Sequence, residues 1–166
     1  MFKKSKRHNI SKIIEDNLDY LVRFAYFRIK NPMEAEDVVY DAVLRFLEKA
    51  PDDIKPDSVR LYLFKIVYNL CLDKIRTAHK DLVSIDELDI EYITADILEL
   101  EDIDRINVCL DNLPQREADV IRMNVIDNLS FVEISSILSI PQSTAKSRYK
   151  SGMDKLRKLF INNNMS

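Results

Sequence analysis

The sequence has a single glycine among its 166 residues, and that scarcity excludes more than any one residue present could establish. A dinucleotide-binding turn, a phosphate-cradling loop and a turn-rich β-sandwich all need glycines where the backbone bends sharply or approaches a ligand. Tryptophan is absent. Cys71 and Cys109 sit in apolar helical contexts without a CxxC pair or a Cys/His cluster, so reduced, buried thiols are expected rather than a disulfide or a metal site. His8 and His79 stand singly in polar surroundings. No apolar run approaches the length of a membrane span. The basic start, Lys3 to Arg7, is not followed by the apolar core of a signal peptide. A soluble cytoplasmic protein, all-α in class, is expected. Nucleophile–base pairs, metal-ligand spacings and phosphate loops are missing as well, so neither an enzyme nor a bound cofactor or metal is expected.

What is present is charge, unevenly placed. The formal net charge is −3. Residues 1–80 carry 16 basic and 12 acidic side chains, residues 81–104 carry ten acids and no base, and residues 105–166 carry nine basic and six acidic. Two mildly basic halves around an acidic middle make a domain–linker–domain pattern: 1–80, 81–104 and 105–166. The linker has the charge character of a nucleic-acid strand and could shield the basic faces; a solvated, self-repelling spacer accounts for it equally well.

Along the chain, residues 2–12 read as loosely held. A helix is expected over 17–29, with Leu18, Leu21, Val22, Ala25 and Ile29 on one face. Asn31 with Glu34 caps the next helix, and Pro32 suits its first position. Val38, Val39, Ala42, Val43, Phe46 and Leu47 form its expected buried stripe, with Asp37, Tyr40, Asp41 and Arg45 outside. After a loop over 51–57, Ser58 is the expected cap of a third helix ending near Arg76. Val59, Leu63, Ile66, Val67 and Leu70 face inward there. Tyr62, Lys65, Asn69, Asp73 and Arg76 share another face, where a ring can stack and cations can hold phosphate. An ordinary surface helix with an Asp73–Arg76 pair fits the same spacing. Helical pattern resumes with Ile103, Ile106 and Leu110, and a further helix is expected over 115–125.

The stretch 130–159 has helix-turn-helix grammar. Ser130 and Glu133 form a capping box, Ile134, Ile137 and Leu138 give an apolar stripe, and Pro141 breaks the helix. A longer helix follows from Gln142. Ala145, Tyr149, Gly152 and Leu156 fall on one side of it, opposite Ser143, Lys146, Ser147 and Lys150. Periodicity alone fits a plain helical hairpin as well. The six basic residues against one acid between Gln142 and Phe160 favour a phosphate-tracking helix.

These residues together resemble the RNA polymerase sigma factors of the extracytoplasmic-function (ECF) type. The resemblance rests on 34–50, on 63–76, and on Leu113-Pro114 with Arg116-Glu117 followed by the segment 129–148. It implies two small helical domains, region-two-like and region-four-like, that direct core RNA polymerase to promoters. Asp37, Tyr40, Asp41 and Arg45 would then meet the polymerase. The loop 51–57 and Tyr62, Lys65, Asn69, Asp73 and Arg76 would read the melted minus-ten element, capturing a flipped base. Gln142, Ser143, Lys146, Ser147, Arg148 and Lys150 would read the minus-thirty-five element in the major groove. Core RNA polymerase, promoter DNA and, as family members often have, an anti-sigma factor are the implied partners. Tyr62 stands where the family usually has tryptophan, Ser139 where it has a turn glycine, and Gly152 where it has a helix-interior alanine, at an expected cost of roughly 1 kcal/mol. Two alternatives stay open from the residues alone: a helix-turn-helix regulator acting without polymerase, and a helical adaptor that binds no DNA.

Overall fold

The computed structural model describes residues 2–80 and 97–164, with side chains over 6–78 and 104–162. Most of the acidic linker, 81–96, lies outside the described residues, as does the expectation that its acids shield the basic faces. All regular structure among the described residues is helical: α1 (Phe2–Ile29), α2 (Pro32–Lys49), α3 (Pro56–Lys80), α4 (Ile97–Leu110), α5 (Gln115–Ile121), a π turn (Arg122–Ile126), α6 (Phe131–Leu138) and α7 (Gln142–Asn164). The chain divides into two compact units, Met1–Tyr92 and Ile93–Ser166.

In the first unit three helices close around an aromatic centre. Leu21, Phe24 and Ala25 of α1, Val39, Ala42 and Phe46 of α2, and Val59, Leu63, Phe64, Val67 and Cys71 of α3 are almost wholly buried. Phe24 meets Phe64 edge-on at 5.0 Å, and the Arg28 guanidinium lies over the Phe24 ring at 3.5 Å. Each large side chain so buried stabilises the fold by about 1.5–3 kcal/mol, well beyond what surface ion pairs supply. Spacing had put Leu18, Val22 and Ile29 inside; they are half-buried, and the aromatic residues Phe24 and Phe27 take the deeper places.

Several expected boundaries move. Residues 2–12 are helical rather than loose, because α1 runs unbroken from Phe2 to Ile29 and Lys6 anchors on the loop after α2, its ammonium donating to the Asp52 carbonyl at 2.9 Å. Ser58 is not the cap of α3. The helix opens two residues earlier with Pro56, and the Ser58 amide already donates to the Lys55 carbonyl at 2.9 Å. It runs on past Arg76 to Lys80. The helix expected to resume at Ile103 begins at Ile97, inside the segment read as linker. Leu47 is 62% exposed, since it falls on the solvent side of α2 at helical spacing from Tyr40 and Leu44. Asn31 caps α2 as expected, its side chain accepting from the Glu34 amide at 3.1 Å.

The second unit is built on Leu110, Leu113, Ala118, Ile121 and Leu156, with Ile106, Tyr149 and Met153 packed against them. The helix expected to run to Val125 changes character after Ile121, where a π turn takes over and the Asp127 amide reaches the Arg122 carbonyl at 3.1 Å. That wider turn carries Arg122 into the interior. Its Nε donates to Asn107 Oδ1 at 2.8 Å, and its other nitrogens lie 3.3 Å from Asp111 and 3.8 Å from Asp119. A guanidinium only 6% exposed needs such partners, because an unpaired buried charge costs several kcal/mol.

Gly152 turns out to serve packing. A Cβ there would stand 2.5 Å from Ile121 Cδ1 and 3.1 Å from Glu117 Cβ. Ile121 is 1% exposed, so the shift its Cδ1 would need has to be made inside the core. The glycine therefore lets α7 approach α5, and the penalty expected from helix propensity is set against that contact. Ser139, by contrast, holds a left-handed φ of 54°, a conformation that favours glycine. The two positions predict opposite signs. Gly152→Ala should destabilise the protein by about 1 kcal/mol net, overpacking outweighing the propensity gain, and Ser139→Gly should stabilise it by about 1 kcal/mol. Thermal unfolding of both variants checks this; a higher Tm for Gly152→Ala would contradict the packing account.

Candidate nucleic-acid interface

Helix α6 is set by its ends. The Ser130 side chain accepts from the Glu133 amide at 3.2 Å while Glu133 accepts from the Ser130 amide at 2.8 Å, completing the capping box. At the far end Ser139 is left-handed and the Ile140 amide returns to the Ser135 carbonyl at 3.0 Å, closing the helix in a Schellman turn. Pro141 then immediately precedes α7, its carbonyl accepting from the Ala145 amide at 3.1 Å. Phe131 of α6 meets Tyr149 of α7 edge-on at 5.4 Å and fixes one helix on the other.

This fold buries Ala145, Gly152 and Leu156 and leaves Gln142, Ser143, Lys146, Ser147 and Lys150 exposed on the opposite side, with Arg148 half-buried at the flank. The six basic residues of α7 are not equivalent. The Lys155 ammonium bonds both Glu117 carboxylate oxygens, at 2.8 and 2.9 Å, and Arg157 pairs with Asp154 at 3.4 Å. Among the described residues no acid pairs with Lys146, Arg148 or Lys150. Three of the four basic residues of α7 left without such a pair thus lie in the first half of the helix, beside the small polar residues; the fourth, Lys158, is exposed near its end.

In the first unit, Tyr62 of α3 is 36% exposed and rests edge-on against Phe46 of α2 at 5.6 Å. Asn69, Asp73 and Arg76 are exposed and Lys65 is half-buried. Asp73 and Arg76 pair at 3.7 Å, the helical pair that a plain surface helix would also show. Asp73 also borders a groove between α2 and α3, together with Glu34, Asp37, Asp41, Arg45 and Lys74. Asp41 and Arg45 form an ion pair at 3.2 Å on the outside of α2. Of the apolar side chains beside them, sequence spacing singled out Tyr40 as outward, put Leu47 in the buried stripe, and passed over Met33 and Leu44. Met33, Tyr40, Leu44 and Leu47 are 77, 61, 59 and 62% exposed, at helical spacing on one face of α2. The signal was there in Met33 and Leu44, apolar residues outside the buried stripe.

Residues 13–80 match the family model for sigma-70 region 2, and residues 109–158 that for sigma-70 region 4. The chain is a sigma-70-family factor of the ECF type. It is 29% identical to the ECF RNA polymerase sigma factor SigW of Bacillus subtilis (strain 168), over 94% of this chain and 91% of that one. The RNA polymerase sigma factor SigV of the same organism is 25% identical, over 81% of both chains. Among solved structures, the sigma factor RpoE of Bartonella quintana, co-crystallised with the anti-sigma factor NepR, superposes with a TM-score of 0.69 at 21% identity, covering 95% of this chain and 98% of that one. CnrH in complex with the cytosolic domain of CnrY gives 0.68, also at 21% identity, over 92% and 88%. These two likenesses establish the fold. As a sigma factor, the protein binds core RNA polymerase and promoter DNA and directs the enzyme to promoters.

The Glu117 contact ties α7 of the sigma factor to α5. Its carboxyl is held below the ordinary value of 4.5, first by the hydrogen bond from Lys155, against the effect of burial, and then by the Ser151 hydroxyl at 2.8 Å. A carboxylate with a depressed folded pKa adds stability above its unfolded pKa and loses it as pH falls through the folded one. The difference in unfolding stability between wild type and Glu117→Gln should therefore be present at neutral pH and shrink below about pH 4. Denaturant titrations across that range check it; a difference independent of pH would contradict the ion pair.

Proposed function

We propose that the two units divide promoter recognition, with 1–80 docking polymerase and reading the minus-ten element, 81–104 linking, and 105–166 reading the minus-thirty-five element. The observation that carries the assignment is α2, whose outside bears an unburied apolar stripe, Met33, Tyr40, Leu44 and Leu47, flanked by Asp37, Asp41 and Arg45. Exposed apolar area beside charge is the anatomy of a protein interface: an apolar patch for affinity and a polar rim for register. On α3, Tyr62 stacks on an unpaired base, Lys65 and Arg76 hold phosphates, Asn69 offers an amide to a base edge, and Asp73 orients Arg76. On α7, Gln142, Ser143, Lys146, Ser147 and Lys150 face base edges and Arg148 holds phosphate. The factor works in the cytoplasm without a reaction of its own. Its similarity to a sigma factor crystallised with an anti-sigma factor supports sequestration by such a partner.

Reversing charge at both Asp37 and Asp41 should abolish co-purification with core polymerase while leaving helicity unchanged, because exposed substitutions rarely cost more than about 0.5 kcal/mol of stability. Unaltered co-purification would remove α2 from the docking role.

Promoter reading separates in the same way. Lys146→Ala should lose about 1–3 kcal/mol of discrimination at the upstream element alone. Arg148→Ala should weaken binding to all sequences and lower the salt dependence. Identical behaviour of both variants on cognate and scrambled promoters would displace the recognition face from α7.

A further inference from the structure

Promoter reading by α3 and α7 leaves the basic N-terminal segment of α1 without a role. Because α1 is helical from Phe2 onward, Lys6, Arg7 and Ile10 reach the end of α2 and the loop that follows it. A cleft of about 440 Å³ opens between them. Ile10, Phe46 and Ile54 give it an apolar lining, Lys6 and Arg7 stand beside these residues, and Leu47 borders it on the side of the α2 stripe. The Lys6 ammonium donates to the Asp52 carbonyl at 2.9 Å, so α1 holds the loop. Phe46 in turn supports Tyr62.

The loop over 51–57 contains Asp52, Asp53 and Asp57 against a single basic residue, Lys55. Without the two cations of α1 this region would be acidic and would repel a nucleic-acid strand. With them it combines an apolar slot and positive charge, which suits an unpaired nucleotide: the base leaves water against carbon, and the adjoining phosphate meets a cation. A base stacked inside a duplex cannot enter such a slot.

We propose that the N-terminal segment of α1 is part of the single-strand surface, with Arg7 holding a phosphate beside an unpaired base in this cleft and Lys6 acting as the positioning residue that fixes the loop through the Asp52 carbonyl. The proposal rests on the reading that the loop and α3 capture the melted minus-ten strand.

The test uses holoenzyme and single-stranded oligonucleotides carrying the minus-ten sequence, intact or with one abasic position at a time, over a range of salt. Wild type should bind an oligonucleotide abasic at the captured position more weakly than the intact strand. Arg7→Ala should lower the slope of log affinity against log salt by about 0.7, the value for one phosphate on a single strand. Lys6→Met should shrink the abasic penalty and Lys6→Arg should restore it, with affinity for core polymerase unchanged in all three variants. Wild type indifferent to every abasic position overturns the base-capture reading and the cleft proposal with it. A wild-type penalty that persists undiminished in Lys6→Met, with an unchanged salt slope in Arg7→Ala, overturns the α1 proposal alone.

Discussion

Helix α7 stands where it does because α5 and α7 touch at Gly152. An added Cβ would stand 2.5 Å from Ile121 Cδ1, too close unless the buried Ile121 side chain shifts. From that contact follow the burial of Leu156 and the reach of Lys155 and Ser151 to Glu117. With the inner side of α7 so fixed, its small polar and basic side is left facing solvent. Helix propensity scores a glycine in a helix only as a loss. Tertiary contact decides otherwise here.

Charge is sorted by the same packing. Of the basic side chains in the second unit, Arg122 is drawn inside by the π turn and held by Asn107 and two aspartates, while Lys155 and Arg157 are neutralised on the surface. Of these, the buried Arg122 network matters most to stability, since exposed pairs contribute little. Lys146, Arg148 and Lys150 carry no such pair among the described residues, which leaves them for the proposed DNA contact. In the first unit the aromatic core takes the inward faces of all three helices, and the apolar residues remaining on α2 stay largely exposed. A small domain tolerates exposed Met33, Tyr40, Leu44 and Leu47 most readily when another protein covers them.

Much of this was legible in residue order. Ser130 with Glu133, Asn31 with Glu34, and the spacing of Ala145, Tyr149, Gly152 and Leu156 are local signals, and local structure follows them. The two-part family match was legible for the same reason, since its motifs are contiguous runs. What was not legible depends on neighbours distant in sequence. Nothing near Arg122 announces a π turn or predicts that Asn107 will meet it. Nothing in Lys3 to Arg7 says that α1 continues through it, because the anchoring carbonyl belongs to Asp52. Spacing put Asp73 on the stripe with Tyr62; the fold also sets it beside Asp37 and Asp41, across the groove between two helices.

The central claim is that separate faces meet separate partners: α2 the polymerase, and the first half of α7 the upstream DNA. Covalent footprinting of exposed side chains tests it most directly, on the factor alone, with core polymerase, and with polymerase and promoter DNA. The account predicts that Met33, Tyr40 and Leu44 become protected when core enzyme is added, and that Lys146 and Lys150 become protected only when promoter DNA joins. Protection of Lys146 and Lys150 by core enzyme alone, with Met33 and Tyr40 still reactive, would contradict it.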